Sequence, residues 1–152
     1  MTDEAYMKIA FEEAKKAYIE DEVPVGAIIV KDGKIIGRGH NHREKKHDIS
    51  SHAEIEAIKN AETYLADWRL DGCVLYVTLE PCLMCAGAIL QSRISKVVFA
   101  SCDPRDGALI SHYYVFDTPS LHERPLVFPG VCKEECDALL QDFFQKKRNL
   151  NS

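Results

Sequence analysis

The chain has 152 residues, 46% of them hydrophobic and 28% charged, with a formal net charge of −5. That balance excludes a disordered or fibrous chain and sets the expectation of one globular unit over 1–152, with apolar material enough for a core without staples. No apolar run approaches the ~20 residues of a membrane span, and residues 1–16 carry acids where a signal peptide has a basic segment, so the expectation is a cytosolic protein that does not enter a membrane.

Apolar and small residues at Ala5, Ile9, Ala10, Ala14, Ala17 and Tyr18 recur at helical spacing, which predicts a helix over 4–20. The β-branched run 23–30 follows as a strand. Lys31-Asp32-Gly33-Lys34 carries the Asp-Gly hairpin signal, and 35–37 begins the return strand. Residues 40–51 are polar and read as a loop. Ser51 is then the expected N-cap of a helix over about 52–66, with Ile55, Ile58 and Leu65 facing inward. Residues 73–79 read as a buried strand, and Pro81 is expected at the first position of a helix that includes Leu83, Met84, Ala88, Ile89 and Leu90. A strand at 96–100 is followed by a loop containing Pro104 and Gly107, then an ambiguous stretch over 109–116. The segment 119–129 reads as irregular, with a short strand near 126–128. An amphipathic helix over 133–148 closes the chain through Leu139, Leu140, Phe143 and Phe144. Strands alternating with helices after an opening hairpin imply a three-layer α/β/α fold.

Charge is unevenly spread. Residues 31–47 hold Lys31, Lys34, Arg38, Arg43, Lys45 and Lys46 against Asp32 and Glu44, whereas seven acids crowd the first 22 residues. A basic loop on an acidic body is able to meet phosphates locally, but on charge alone both regions read as solvated surface. The six cysteines are even in number, yet in a reducing compartment closely spaced cysteines point to metal or redox chemistry rather than to a disulfide framework.

Two segments carry that chemistry. His52-Ala53-Glu54 opens one predicted helix, and Pro81-Cys82-Leu83-Met84-Cys85 opens another directly after a strand. Cys82 and Cys85 at i and i+3 share one face of a first helical turn, near the positive end of the helix dipole, where thiolates are favoured. His52 from the neighbouring helix start completes three donors. Three protein ligands leave a fourth position open for water, the mark of a catalytic rather than a structural zinc. Glu54 is left over as a carboxylate able to move a proton. A structural zinc would want a fourth ligand, and none of Cys73, Cys102, Cys132 or Cys136 pairs locally with the trio.

His-x-Glu together with Pro-Cys-x-x-Cys is the known signature of the zinc nucleobase and nucleoside deaminases, and this chain resembles that family, in particular its tRNA-adenosine branch. The likeness runs through Glu22-Val23-Pro24-Val25-Gly26-Ala27, His40-Asn41, His52-Ala53-Glu54-Ile55, residues 75–82, Met84-Cys85-Ala86-Gly87-Ala88, Ser92-Arg93-Ile94 and Asp142-Phe143-Phe144. The resemblance implies a cytidine-deaminase-like sandwich with a mixed sheet of about five strands. It also implies one Zn²⁺ per subunit and hydrolytic deamination of the wobble adenosine in a tRNA anticodon stem-loop to inosine, by a homodimer. Carried over position by position, His52, Cys82 and Cys85 bind zinc and Glu54 is the proton shuttle. Asn41 reads the base, Asp103 and Arg105 sit on an RNA-facing loop, and Phe144 and Arg148 approach the RNA from the last helix. Of the adjacent Phe143 and Phe144, one is expected in the core and only one free for RNA.

The departures from the family pattern fall after Ala100. Arg105 stands where Lys is usual, with Asp106 beside it; His122-Glu123-Arg124 replaces Asn-His-Arg, and Ile110-Ser111 replaces Gly-Ser. These changes keep a second reading open, a deaminase of a free base such as guanine. A non-catalytic zinc-stabilised RNA-binding or assembly subunit would have no need of Glu54, and a redox pair would leave His-x-Glu unexplained.

Overall fold

The computed structural model describes residues 1–118 and 123–150. Thr2 accepts the Ala5 N–H with its hydroxyl, at 3.1 Å, and caps helix α1, Asp3–Ile19. Strands β1, Gly26–Lys31, and β2, Lys34–His40, form the opening hairpin. Asp32 and Gly33 both take positive φ, 50° and 76°, as a two-residue hairpin turn matched to strand twist requires. β1 begins later than the sequence pattern predicts: Pro24 has no N–H to give, and the Val25 N–H turns back to the Val23 carbonyl, so 23–25 folds as a turn. A short helix α2, Arg43–Lys46, lies inside the predicted loop. Helix α3 spans Ala53–Leu65, strand β3 Val74–Leu79, helix α4 Leu83–Ser92, strand β4 Lys96–Ser101, strand β5 Leu126–Phe128 and helix α5 Lys133–Leu150; a single 3₁₀ turn, Val115–Asp117, occupies part of the ambiguous stretch.

The sheet order is β2-β1-β3-β4-β5. β1 pairs antiparallel with β2 and β3, whereas β3–β4 and β4–β5 are parallel. Alternate residues feed two cores, since successive strand side chains point to opposite faces. Ala27, Ile29, Leu75, Val77, Val97 and Phe99 pack with α3 and α4; Ile28, Val30, Tyr76, Val98 and Ala100 pack with α1 and the start of α5. This is the expected α/β/α sandwich with a mixed five-stranded sheet.

Three local expectations are corrected. The N-cap of α3 is His52, not Ser51: the Ser51 hydroxyl turns to Asp48, and the His52 side chain leaves the helix end for the cysteines. Pro81 lies one residue ahead of the Cys82 N-cap of α4 rather than at its first position. The face of α3 against the sheet is lined by Ala53, Ala57 and Ala61; of the three residues expected inward, Ile58 is buried and Leu65 packs against the core, while Ile55 is only partly covered. The reason is close approach. A Cβ on Gly37 would meet the Ala57 carbonyl oxygen at 2.4 Å, and one on Gly39 would meet that of Ala53 at 2.4 Å. Small residues on both partners bring the start of α3, with His52 and Glu54, down onto β2.

The acidic N-terminal region is also not all solvated surface. Glu13 and Glu22 are buried and partnered. Among the described residues no helix is long and apolar enough to cross a membrane. The 119–122 part of the segment read as irregular, with His122 of the divergent triplet, lies outside the described residues, as do 151–152.

Candidate active site

β3 ends at Leu79, and the chain passes through Glu80-Pro81 to the start of α4, which sets Cys82 at the N-cap and Cys85 one turn in. His52 occupies the same position on α3. Two helix starts therefore converge, and the His52 Nδ1 lies 3.6 Å from the Cys82 Sγ and 3.5 Å from the Cys85 Sγ. With metal–sulfur distances of ~2.3 Å and metal–nitrogen distances of ~2.0–2.1 Å, the S···N edge of a tetrahedron is about 3.6 Å. The spacing of the donors thus fits a tetrahedral ion, and two sulfurs with one imidazole suit zinc. Among the described residues no fourth His, Cys, Asp or Glu joins this trio, so one corner stays open.

Hydrogen bonding from the Cys85 thiol, with a further contribution from His52, lowers the Cys82 pKa to about 4. The resulting thiolate holds the Cys85 proton well above the usual range and raises the pKa of His52. The pocket concentrates negative charge at sulfur, where a divalent ion would displace protons. Glu54 sits in the first turn of α3 with a side chain almost wholly buried, and burial raises its pKa to about 7. A carboxyl with that affinity both takes and returns a proton near neutral pH.

The trio opens into a cleft of ≈ 520 Å³ whose walls include Asn41, Glu54, Asp103, Arg105, Leu140 and Phe144, within the size range of small-molecule sites. Asn41 is buried. Its Nδ2 donates to the Val23 carbonyl at 3.4 Å and its Oδ1 accepts the Arg43 N–H at 3.3 Å, which fixes the amide while leaving one N–H and one lone pair for a ligand. Asp103 is used internally: its Oδ1 accepts the N–H groups of Arg105 and Asp106 at 3.1 and 3.2 Å and closes the loop after β4. Phe144 is exposed at the cleft wall whereas Phe143 is buried against Tyr18, so the adjacent pair is split between surface and core. Arg148 is exposed one turn beyond Phe144 and does not line the cleft.

Two structural carboxylates escaped the sequence reading. Glu80 is buried beneath the loop. Its Oε2 accepts N–H groups from Leu109, Ile110 and Ser111 at 3.0, 2.8 and 3.1 Å, and its Oε1 accepts the Asp103 N–H at 3.1 Å and the Ser111 hydroxyl. Burial alone would raise its pKa, but these donors, led by the Ile110 N–H, outweigh burial and lower it. Gly107 has no room for a side chain here, since a Cβ would sit 2.4 Å from the Glu80 carboxyl. Glu22 in turn accepts the Glu44 and Lys45 N–H groups at 3.0 and 2.8 Å and ties down α2 beside Asn41. The only sequence signal for Glu80 was an acid at the end of a buried strand, next to Pro-Cys; Glu22 lay hidden in an acidic run.

A zinc-type trio with an open corner and a buried spare carboxylate, at the helix starts of a mixed α/β sheet, is the constellation of a zinc-dependent hydrolytic deaminase. Residues 1–101 match the cytidine and deoxycytidylate deaminase zinc-binding region, and the chain belongs to that family. The tRNA-specific adenosine deaminase of Aquifex aeolicus (strain VF5) is 46% identical over 149 residues, covering 98% of each chain. A solved structure from work on A-to-I editing by tRNA deaminases at the wobble position of transfer RNA aligns with a TM-score of 0.86 at 41% identity, over 90% of this chain and 99% of that one. A guanine deaminase from Bacillus subtilis aligns with a TM-score of 0.65 at 33% identity, over 98% of this chain and 95% of that one.

Proposed function

We infer that this chain deaminates the wobble adenosine of a tRNA anticodon loop to inosine, with water as the nucleophile and ammonia as the leaving group. The observation that carries the reading is the open-cornered His52–Cys82–Cys85 trio facing the buried Glu54 in a cleft walled by Asn41 and Phe144. The near full-length likeness to tRNA-specific adenosine deaminases supports the substrate.

His52, Cys82 and Cys85 would hold zinc, which when bound supplies a Lewis acid that lowers the pKa of a water at the open corner toward ~7. Glu54 takes a proton from the attacking water as its oxygen bonds to C6 of the adenine. It delivers that proton to the ring nitrogen beside C6, then assists a second transfer to the amino group, so that the C6–N bond breaks and ammonia departs. Asn41 offers the base its spare N–H and lone pair. Phe144 supplies a ring face for stacking, Arg105 and Arg148 offer charge to phosphates, and Asp103 holds the loop that carries Arg105. An unpaired loop adenosine reaches the cleft at lower cost than a base drawn from a duplex. The enzyme acts as a homodimer in this reading; Leu83, exposed in the first turn of α4 beside Cys82, is an apolar side chain available to such a contact.

A second reading, deamination of free guanine, rests on the 33% identical guanine deaminase and on Asp106 at the cleft wall. One assay separates them. Purified protein is incubated with an adenosine-bearing anticodon stem-loop and, separately, with guanine, with inosine read by mass analysis and ammonia by release. Inosine in the stem-loop supports the first reading; turnover of guanine alone rejects it. Glu54→Ala is expected to lower turnover by at least ~10² with zinc content retained.

A further inference from the structure

At the opposite end of β2 from its hairpin, His40 and His42 flank Asn41 and turn their rings to Glu20, the C-cap of α1. The His40 Nε2 lies 3.3 Å from the Glu20 Oε1, the His42 Nε2 lies 3.2 Å from the Glu20 Oε2, and the ring centroids are 4.1 Å apart. The three side chains are only 13%, 18% and 29% exposed. We propose that Glu20, His40 and His42 form a second divalent metal site, of the zinc class, separate from the cysteine-bearing trio.

His40 faces a carboxylate at both nitrogens, since its Nδ1 lies 3.3 Å from the Glu13 Oε1. A neutral imidazole has one N–H and one lone pair, so one of the two carboxylates would meet a lone pair. The conflict is removed by a second proton or by a cation at the Nε2. His42 is placed alike, with the Glu56 Oε1 3.7 Å behind its Nδ1. Protonating both rings would put two positive charges on tilted rings whose centroids are only 4.1 Å apart. One ion between the two Nε2 atoms and Glu20 satisfies all three groups without that repulsion.

Geometry and partners agree. Metal–ligand distances of ~2.0–2.2 Å place neighbouring N and O donors about 2.9–3.4 Å apart for octahedral to tetrahedral arrangements, and 3.2–3.3 Å falls inside that span. A charge-assisted N–H···O bond would be shorter, ~2.7–2.9 Å. The Glu20 Oε2 and the His42 Nδ1 are buried without a hydrogen-bond partner. Glu13 and Glu56 are already compensated by Lys16 and Lys46, at 2.7 and 2.8 Å. Glu13 therefore stands behind His40 as the outer carboxylate that fixes the tautomer of a metal-bound histidine, while Glu56 lies farther from His42, at 3.7 Å. Two imidazoles and a carboxylate select a borderline ion such as Zn²⁺ or Co²⁺ over Mg²⁺ or Ca²⁺. An ion there would join the end of α1 to both neighbours of Asn41 and stiffen that wall of the cleft.

The test uses the protein with its first zinc in place and adds Zn²⁺ alone, followed by calorimetry. One further equivalent is expected, with affinity reduced at least tenfold in His40→Gln and in Glu20→Gln. Co²⁺ added in parallel should give weak d–d bands without thiolate charge transfer, which separates this site from exchange at the cysteines. An anomalous-scattering peak among Glu20, His40 and His42 in wild-type crystals grown with Zn²⁺ answers the question even where a variant fails to fold. No further equivalent, an equivalent that persists unweakened in both folded variants, or a peak elsewhere overturns the proposal. Its failure leaves the deaminase reading untouched, since none of these outcomes involves turnover.

Discussion

Replacing Glu80 by glutamine tests whether a buried carboxylate, rather than the loop sequence itself, shapes the substrate wall. In Glu80→Gln the new amide oxygen would go to the side with the three N–H groups of Leu109, Ile110 and Ser111. The new NH₂ then faces the Asp103 N–H, donor against donor, while the Ser111 hydroxyl rotates to accept. One partly buried N–H is left unmet, at about 1–3 kcal/mol, and three charge-assisted bonds become neutral ones, each weaker by about 1 kcal/mol. The sum, about 4–6 kcal/mol, falls on the loop over 103–111, which is expected to loosen against the core contacts of Ala108 and Leu109 while the sheet stays folded. Zinc content is expected to hold, because His52, Cys82 and Cys85 sit on α3 and α4. KM for the stem-loop should rise more than kcat falls, and hydrogen exchange at Leu109 to Ser111 should quicken at least ~10²-fold, the equivalent of about 2.7 kcal/mol. Unchanged exchange at those amides, in a variant with wild-type KM, would refute the role given to Glu80.

Three further outcomes follow from the same structure. Phe143→Ala should cost about 3–5 kcal/mol of stability as a buried aromatic truncation, seen in denaturant unfolding, whereas Phe144→Ala should barely alter stability and weaken stem-loop binding by about 1–3 kcal/mol. Gly39→Ala forces a Cβ to 2.4 Å from the Ala53 carbonyl oxygen, so it should destabilise the fold by about 1–3 kcal/mol and also reduce zinc retention, because α3 carries His52. Cys136 is buried, and burial lifts its thiol pKa to about 12. Since the thiolate is the reactive form, it should stay unlabelled by iodoacetamide at pH 8 while the exposed Cys102 reacts, with labelling of Cys136 increasing only as the pH climbs toward that value.

The site chemistry was legible because it is local in kind. His-x-Glu and Pro-Cys-x-x-Cys each fix donor types at one helix start, and the alternation of strands with helices implied a sheet able to bring the two starts together. The caps were misassigned, Ser51 for His52 and Pro81 one place off, because capping preference describes a helix end in isolation. At these ends the His52 and Cys82 side chains are directed to one another instead of to the backbone. The inward face of α3 was read in part: Ile58 is in the core and Leu65 packs against it, but Ile55 is not, and the side that meets β2 is alanine because Gly37 and Gly39 admit nothing larger at so short a distance.

Residue identity by itself determined which atoms were able to bind an ion, carry a proton or stack on a base, since those are properties of side chains. Only the folded chain decided which acids went inside. Glu13, Glu22 and Glu80 look like any surface carboxylate in the sequence, and each is buried where groups distant in the chain meet it, His40 and Arg38 for Glu13 and backbone N–H groups for Glu22 and Glu80. Burial of a charge depends on partners drawn from several elements, and no single stretch of chain contains them all.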